Sequence, residues 1–183
     1  MKTQIWILGA PGTGKGTLSA NITKKHGIQH LCMGELLRKS RDAAIVETIR
    51  KGNLIPGKQA AELITKEMER VKGKEIILDG FPRTVEQYKM FKEVNASKVT
   101  CIIWLKCEET LAMKRIQERA LQEPERNDSD PETVSARLKE YEKTTRPLLG
   151  MLHADELPCY EIDTTHKTPK EVLDLFDEVY SHC

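Results

Sequence analysis

Short apolar runs alternate along the chain with segments of helical period, and glycine and proline mark the joints between them. Gln4–Leu8, Gln29–Leu31, Glu75–Leu78, Val99–Leu105 and Cys159–Ile162 read as strands, each followed by a helix signal. Residues 14–26 put Leu18 and Ile22 one turn apart, and Gly27 follows where a helix end favours a left-handed residue. Residues 57–71 gather Ala60, Leu63, Ile64, Met68 and Val71 on one stripe, with Gly73 as the expected stop. Thr168-Pro169-Lys170-Glu171 supplies a capping residue, a proline at the first helical position and Glu at the third, so it opens a final helix. Strands that alternate with crossover helices predict an α/β fold of three layers, a five-stranded parallel sheet with helices on both faces. Gln122–Asp130 is the most polar, turn-rich stretch and reads as a mobile loop between two helices.

A chain of 183 residues fits one folding unit. Its 29 Lys and Arg against 28 Asp and Glu leave a net charge of +1, which gives no general attraction to nucleic acid or an anionic bilayer. Any field that binds phosphate must therefore be local. The first apolar run is about half of a secretory signal core and leads straight into a glycine loop, so it reads as a buried strand. Cys101–Leu105 falls far short of the roughly 20 residues needed to cross a bilayer. The five cysteines, Cys32, Cys101, Cys107, Cys159 and Cys183, form no C-x-x-C pair, and an odd number cannot all pair within one chain. Reduced thiols and a cytoplasmic location are the expectation. The five histidines show no spacing typical of metal ligands.

Candidate chemistry begins at Gly9-Ala10-Pro11-Gly12-Thr13-Gly14-Lys15-Gly16-Thr17, a G-x-x-x-x-G-K loop between an expected strand and an expected helix. Glycines let successive backbone N–H groups face an anion, and the helix N-terminus adds partial positive charge. Lys15 can then neutralise the β and γ oxygens of a nucleotide. A tight bend alone would not need a lysine at this offset. Ile76-Ile77-Leu78-Asp79 is an apolar strand ending in an acid, whose carboxylate can hold Mg²⁺ directly or through water. Gly80-Phe81-Pro82-Arg83 follows it.

With Gly16 between Lys15 and Thr17, the loop resembles the GxPGxGKGT form of adenylate kinases and their nucleoside-monophosphate kinase relatives, and Asp-Gly-Phe-Pro-Arg is similar to the same family's signature. The resemblance runs from Gln4 to the final helix. It implies a P-loop kinase that moves the γ-phosphoryl group of ATP to AMP, with an acceptor-binding insert over about residues 32–61 and a short lid over about 119–130. It also implies ATP contacts at Gly12, Thr13, Gly14, Lys15, Gly16, Thr17, Arg119 and Lys167, and AMP contacts at Met33, Arg38, Leu54, Ile55, Gly80, Arg83, Gln87, Arg126 and Arg137. Catalytic charge would come from Lys15, Arg119, Arg126 and Arg137, and Mg²⁺, bound with ATP, would lie at Thr17 and Asp79. No acid/base histidine is needed, because a phosphate acceptor is already ionised at neutral pH. A monomer is the implied default, with nucleotides as the only partners and neither nucleic acid nor membrane among them.

Some residues admit two readings. Gln87 stands where adenylate kinases keep a base-reading Gln, yet Thr84-Val85-Glu86-Gln87 also fits a helix capping box. Met33 replaces the Thr or Ser common there in adenylate kinases, which keeps UMP/CMP kinase as an alternative; a nucleotide-sensing binding module is the alternative of another class. Arg115 lies one turn before Arg119 and is either a supporting charge or a solvated one. In the loop, Arg126-Asn127-Asp128-Ser129-Asp130 keeps only the first of the family's two acids, and Asp130 reads as the N-cap of a helix beginning at Pro131.

Overall fold

Side chains that alternate along five short strands divide between the two faces of one parallel sheet. In a computed structural model that describes residues 3–71, 73, 75–95, 97–123 and 128–183, the strands are β1 (Thr3–Gly9), β2 (Gln29–Cys32), β3 (Glu75–Asp79), β4 (Lys98–Lys106) and β5 (Cys159–Asp163). They lie in the order β2-β3-β1-β4-β5, all parallel. All five expected strands are present, each extended by a residue or two.

Because the strand period is two, Trp6, Leu8, Leu31, Ile76, Leu78, Ile102 and Trp104 face one side, and Ile5, Ile7, Ile77, Cys101, Ile103, Leu105 and Ile162 face the other. The first side is covered by α2 (Met33–Arg38), α4 (Gly57–Arg70), α5 (Val85–Val94) and α8 (Arg146–Ala154), through buried residues such as Leu37, Ile64, Phe91 and Leu152. The second is covered by α1 (Lys15–His26) and α9 (Pro169–Tyr180), through Leu18, Ile22, Val172 and Phe176. Each fully buried aliphatic or aromatic side chain of this kind stabilises the fold by about 1.5–3 kcal/mol relative to exposure. The remaining helices, α3 (Ala43–Arg50), α6 (Glu109–Ala120) and α7 (Pro131–Glu140), stand around the C-terminal edge of the sheet, and a π-helical turn at Tyr141–Thr145 joins α7 to α8.

Helix ends obey local chemistry. Gly27 ends α1 in the left-handed conformation, its N–H bonded to Thr23 O. Thr168 and Glu171 form the expected reciprocal capping box of α9. Asp130 caps α7 by accepting from Glu132 N and Thr133 N, the role preferred for it above. α4 stops at Arg70, with Val71 extended after it, so the helix ends three residues before the glycine expected to stop it. Among the described residues no helix is long and apolar enough to cross a membrane.

Candidate active site

β1 runs through the middle of the sheet, and the loop that leaves its C-terminal end turns immediately into α1. Gly9, Gly12 and Gly14 all have positive φ, at 146°, 82° and 89°. A side chain at Gly12 is excluded twice over, because its Cβ would lie 2.4 Å from the Ala112 carbonyl oxygen of α6. The first turn of α1 carries no acidic residue of its own to offset the positive end of the helix. Lys15 folds back along the loop and donates from Nζ to the carbonyl oxygens of Gly9 and Ala10, both at 2.8 Å. Burial, and then the Arg83 guanidinium, pulls its ammonium down to about 7, while Asp79 works in the opposite direction.

The loop opens onto a cleft of about 680 Å³. Of the ATP-side expectations, Gly12, Gly14, Lys15, Gly16, Thr17 and Arg119 line it. Thr13 does not: it is buried behind the loop, where its hydroxyl donates to Ala10 O at 2.8 Å. Lys167 is not on the wall either, and lies in the turn after β5 with its N–H directed at Thr164 O. Arg115 turns out to be neither solvated nor aimed at the cleft. It donates to the Thr164 hydroxyl and carbonyl at 3.0 and 2.9 Å, and the same hydroxyl lies 3.1 Å from Thr13 O. Arg115 therefore ties α6 and the turn after β5 to the back of the phosphate loop.

Of the acceptor-side expectations, Met33, Arg38, Leu54, Ile55, Gly80, Arg83 and Gln87 line the same cleft. Gly80 has a positive φ of 70°, and the turn it makes lets Arg83 Nε donate to Gly80 O at 2.8 Å. Gln87 forms half of the capping box and also lines the cleft. Its backbone N–H is capped by the Thr84 hydroxyl, while its buried amide accepts from Arg83 N at 2.8 Å and donates to Ile55 O at 3.5 Å. These two bonds fix which end of the amide is oxygen, and each end keeps one further bonding position.

Arg119 on α6 and Arg137 on α7 meet at Asp128, the one acid that the loop keeps from the family's pair. The Asp128 side chain is 1% exposed; its Oδ2 accepts from Arg119 Nε at 2.8 Å and from Nη2 at 2.7 Å, and its Oδ1 accepts from Arg137. Burial lowers the Arg137 pKa and Asp128 opposes that shift. Asp128 lies nine residues from each arginine, a separation without helical or strand meaning, so no pattern in the chain announces the bridge. Arg126, expected to act with these two, lies outside the described residues.

Asp79 ends β3 and is 4% exposed. Its register partner on β1 is Ile7, two residues before the loop begins, so the sheet itself fixes this carboxylate beside the loop. A Cβ at Gly16 would lie 3.8 Å from Asp79 Oδ2. A buried carboxylate next to the Gly16-Thr17 step suits a hard cation that prefers oxygen, so Asp79 and Thr17 fit Mg²⁺. His30, unassigned in the sequence reading, lies with Nε2 3.1 Å from the same Oδ2. Cys32 stands nearby, and burial, then Asp79, pushes its thiol pKa up.

The family model described as adenylate kinase matches residues 7–156. Among curated proteins the chain is 32% identical to a UMP-CMP kinase of Prunus armeniaca over 79% of this chain and 64% of that protein. It is 33% identical to UMP-CMP kinase 2 of Oryza sativa subsp. japonica over 96% of this chain and 73% of that protein. It is 35% identical to an adenylate kinase of Parabacteroides distasonis over 78% of this chain and 80% of that protein.

Proposed function

We propose that the chain, which belongs to the adenylate kinase family and is a nucleoside-monophosphate kinase, transfers the γ-phosphoryl group of ATP reversibly to AMP, giving two ADP. The observation that carries this reading is one cleft walled by the phosphate loop and Lys15, with Arg38, Arg83, Arg119 and Arg137 around it. An acceptor phosphate held by guanidiniums can meet the transferring group in line. Lys15, Arg119 and Arg137 then offset charge on its oxygens, which is most of what phosphoryl transfer asks of a protein. Mg²⁺, held by Thr17 and Asp79 with the nucleotide, supplies further charge neutralisation when bound. The acceptor's own oxygen attacks without losing a proton, in keeping with a cleft in which no histidine need act as base. The segments on either side of the cleft close over both nucleotides before transfer and so deny water the role of acceptor.

The acceptor base is read by Gln87. With its oxygen held by Arg83 N and its nitrogen by Ile55 O, the amide keeps one free lone pair and one free N–H. That pair matches an exocyclic amino group beside a ring nitrogen, the edge that adenine presents. Cytosine presents the same edge, whereas uracil inverts it. Resemblance to proteins named UMP-CMP kinase therefore supports a second reading in which CMP is accepted. The test is to supply Mg-ATP with AMP, CMP or UMP and follow diphosphate formation. The expected order places AMP first and UMP last, and Gln87→Glu should penalise AMP by about tenfold or more by leaving polar groups mismatched. UMP as the best acceptor would overturn the assignment of the base.

A further inference from the structure

On the wall of the cleft beside the phosphate loop, three side chains of different donor chemistry converge. His30 and Cys32 are two residues apart on β2 and so project from the same face, and Cys32 stands directly opposite Asp79 on β3. One donor atom from each, nitrogen, sulfur and oxygen, lies within 4.8 Å of the others. Among the described residues this is the one such group of His, Cys, Asp or Glu. All three residues line the cleft, so an ion can reach them from solvent.

We propose that His30, Cys32 and Asp79 form a three-ligand site for a borderline divalent cation, Zn²⁺, with its fourth position open to the cleft. Ligands about 2.0–2.3 Å from a tetrahedral Zn²⁺ stand roughly 3.3–3.6 Å from one another. The His30 and Asp79 donors are already 3.1 Å apart, and all three donor atoms lie within 4.8 Å of one another, so side-chain rotation closes the set around the ion. Imidazole and thiolate are poor partners for Mg²⁺ but suit Zn²⁺, so this set selects a different ion from the one assigned to Thr17 and Asp79. The thiol proton leaves to solvent on binding. Thiolate and carboxylate then cancel the two charges of the ion, so the filled site is neutral overall, one unit less negative beside Lys15 than the empty one. Because Asp79 belongs to both sets, Zn²⁺ here opposes phosphoryl transfer; this consequence, unlike the binding itself, rests on the role given to Asp79 in the proposed reaction.

The experiment titrates the full chain with Co²⁺ followed by absorption, then displaces it with Zn²⁺. The expected result is one Co²⁺ per chain with a thiolate-to-cobalt charge-transfer band. That band should be lost in Cys32→Ser, retained in Cys107→Ser and Cys183→Ser, and accompanied by at least tenfold weaker binding in His30→Gln. No thiolate band, or a band indifferent to Cys32→Ser, overturns the site and leaves His30 as a hydrogen-bond support for Asp79. In a parallel assay with excess Mg-ATP, micromolar Zn²⁺ should slow the wild-type reaction, and Cys32→Ser, relative to its own rate without zinc, should need at least tenfold more. Binding that depends on Cys32 but leaves the rate unchanged overturns the inhibitory consequence. A chain that binds Co²⁺ as described but phosphorylates no monophosphate keeps the metal site and overturns the kinase reading.

Discussion

Lys15 is the residue where burial and charge meet most directly. Its ammonium is drawn from 10.5 to about 7, chiefly by burial and next by Arg83. Triphosphate brought against the loop adds negative charge beside it and drives the pKa back up, so binding at about pH 8 takes up a proton. Calorimetry in buffers of different ionisation enthalpy should report an uptake approaching one proton, and affinity for Mg-ATP should fall several-fold between pH 7 and 8. Lys15→Met should abolish the uptake and lower kcat by about 10²–10³-fold; an unchanged proton balance would contradict this account. The sign for folding follows from the same shift. Between about 7 and 10.5 the unfolded chain keeps a proton that the folded chain has released, so the contribution of Lys15 to stability rises with pH across that window and is least favourable below it. Lys15, Thr17, Asp79 and Arg83 stood out in the sequence because motif spacing is local. His30 and Cys32 did not, because their meeting with Asp79 depends on the register of β2 against β3.

The phosphate loop and α6 are locked together at Gly12. A methyl group there would strike the backbone of Ala112 and would also have to adopt a φ of 82°. Gly12→Ala should cost more than about 2 kcal/mol in urea unfolding and weaken nucleotide binding, and wild-type stability in that variant would contradict the packing described. Asp128 plays the corresponding part for α6 and α7. Asp128→Asn keeps the shape but removes the charge that two guanidiniums share, and should lower stability by about 1–3 kcal/mol together with kcat. A melting temperature equal to that of the wild type would leave the bridge without energetic meaning. The strands and the helices α1, α4 and α9 were legible from alternation, stripe and cap, all of which act over a few residues. The Gly12 contact with α6 and the Asp128 bridge were not, since neither arises from a local period. α4 ends at Arg70, one residue short of the expected end, with Val71 extended as its C-cap.

At the scale of the molecule, a net charge of +1 coexists with a cleft ringed by Lys15, Arg38, Arg83, Arg119 and Arg137. The positive field is local, as the composition required. β1 and β3 are neighbours in the sheet, so the phosphate loop and Asp79 rest on its most buried part, while the α2 residues proposed to hold the acceptor and the arginines of α6 and α7 stand on either side. That division suits a reaction in which the flanks move and the centre stays fixed. The parallel order could be anticipated as a class from alternating strands and helices; which strand lies at the centre could not, because crossover connections leave several orders open. Transfer between two nucleotides in this cleft is open to phosphorus NMR of the purified chain with Mg-ATP and AMP. Both nucleotides should convert to ADP without inorganic phosphate, and Lys15→Met should suppress the conversion. ATP that stays intact beside AMP, CMP and UMP alike, or that yields only inorganic phosphate, would contradict such transfer.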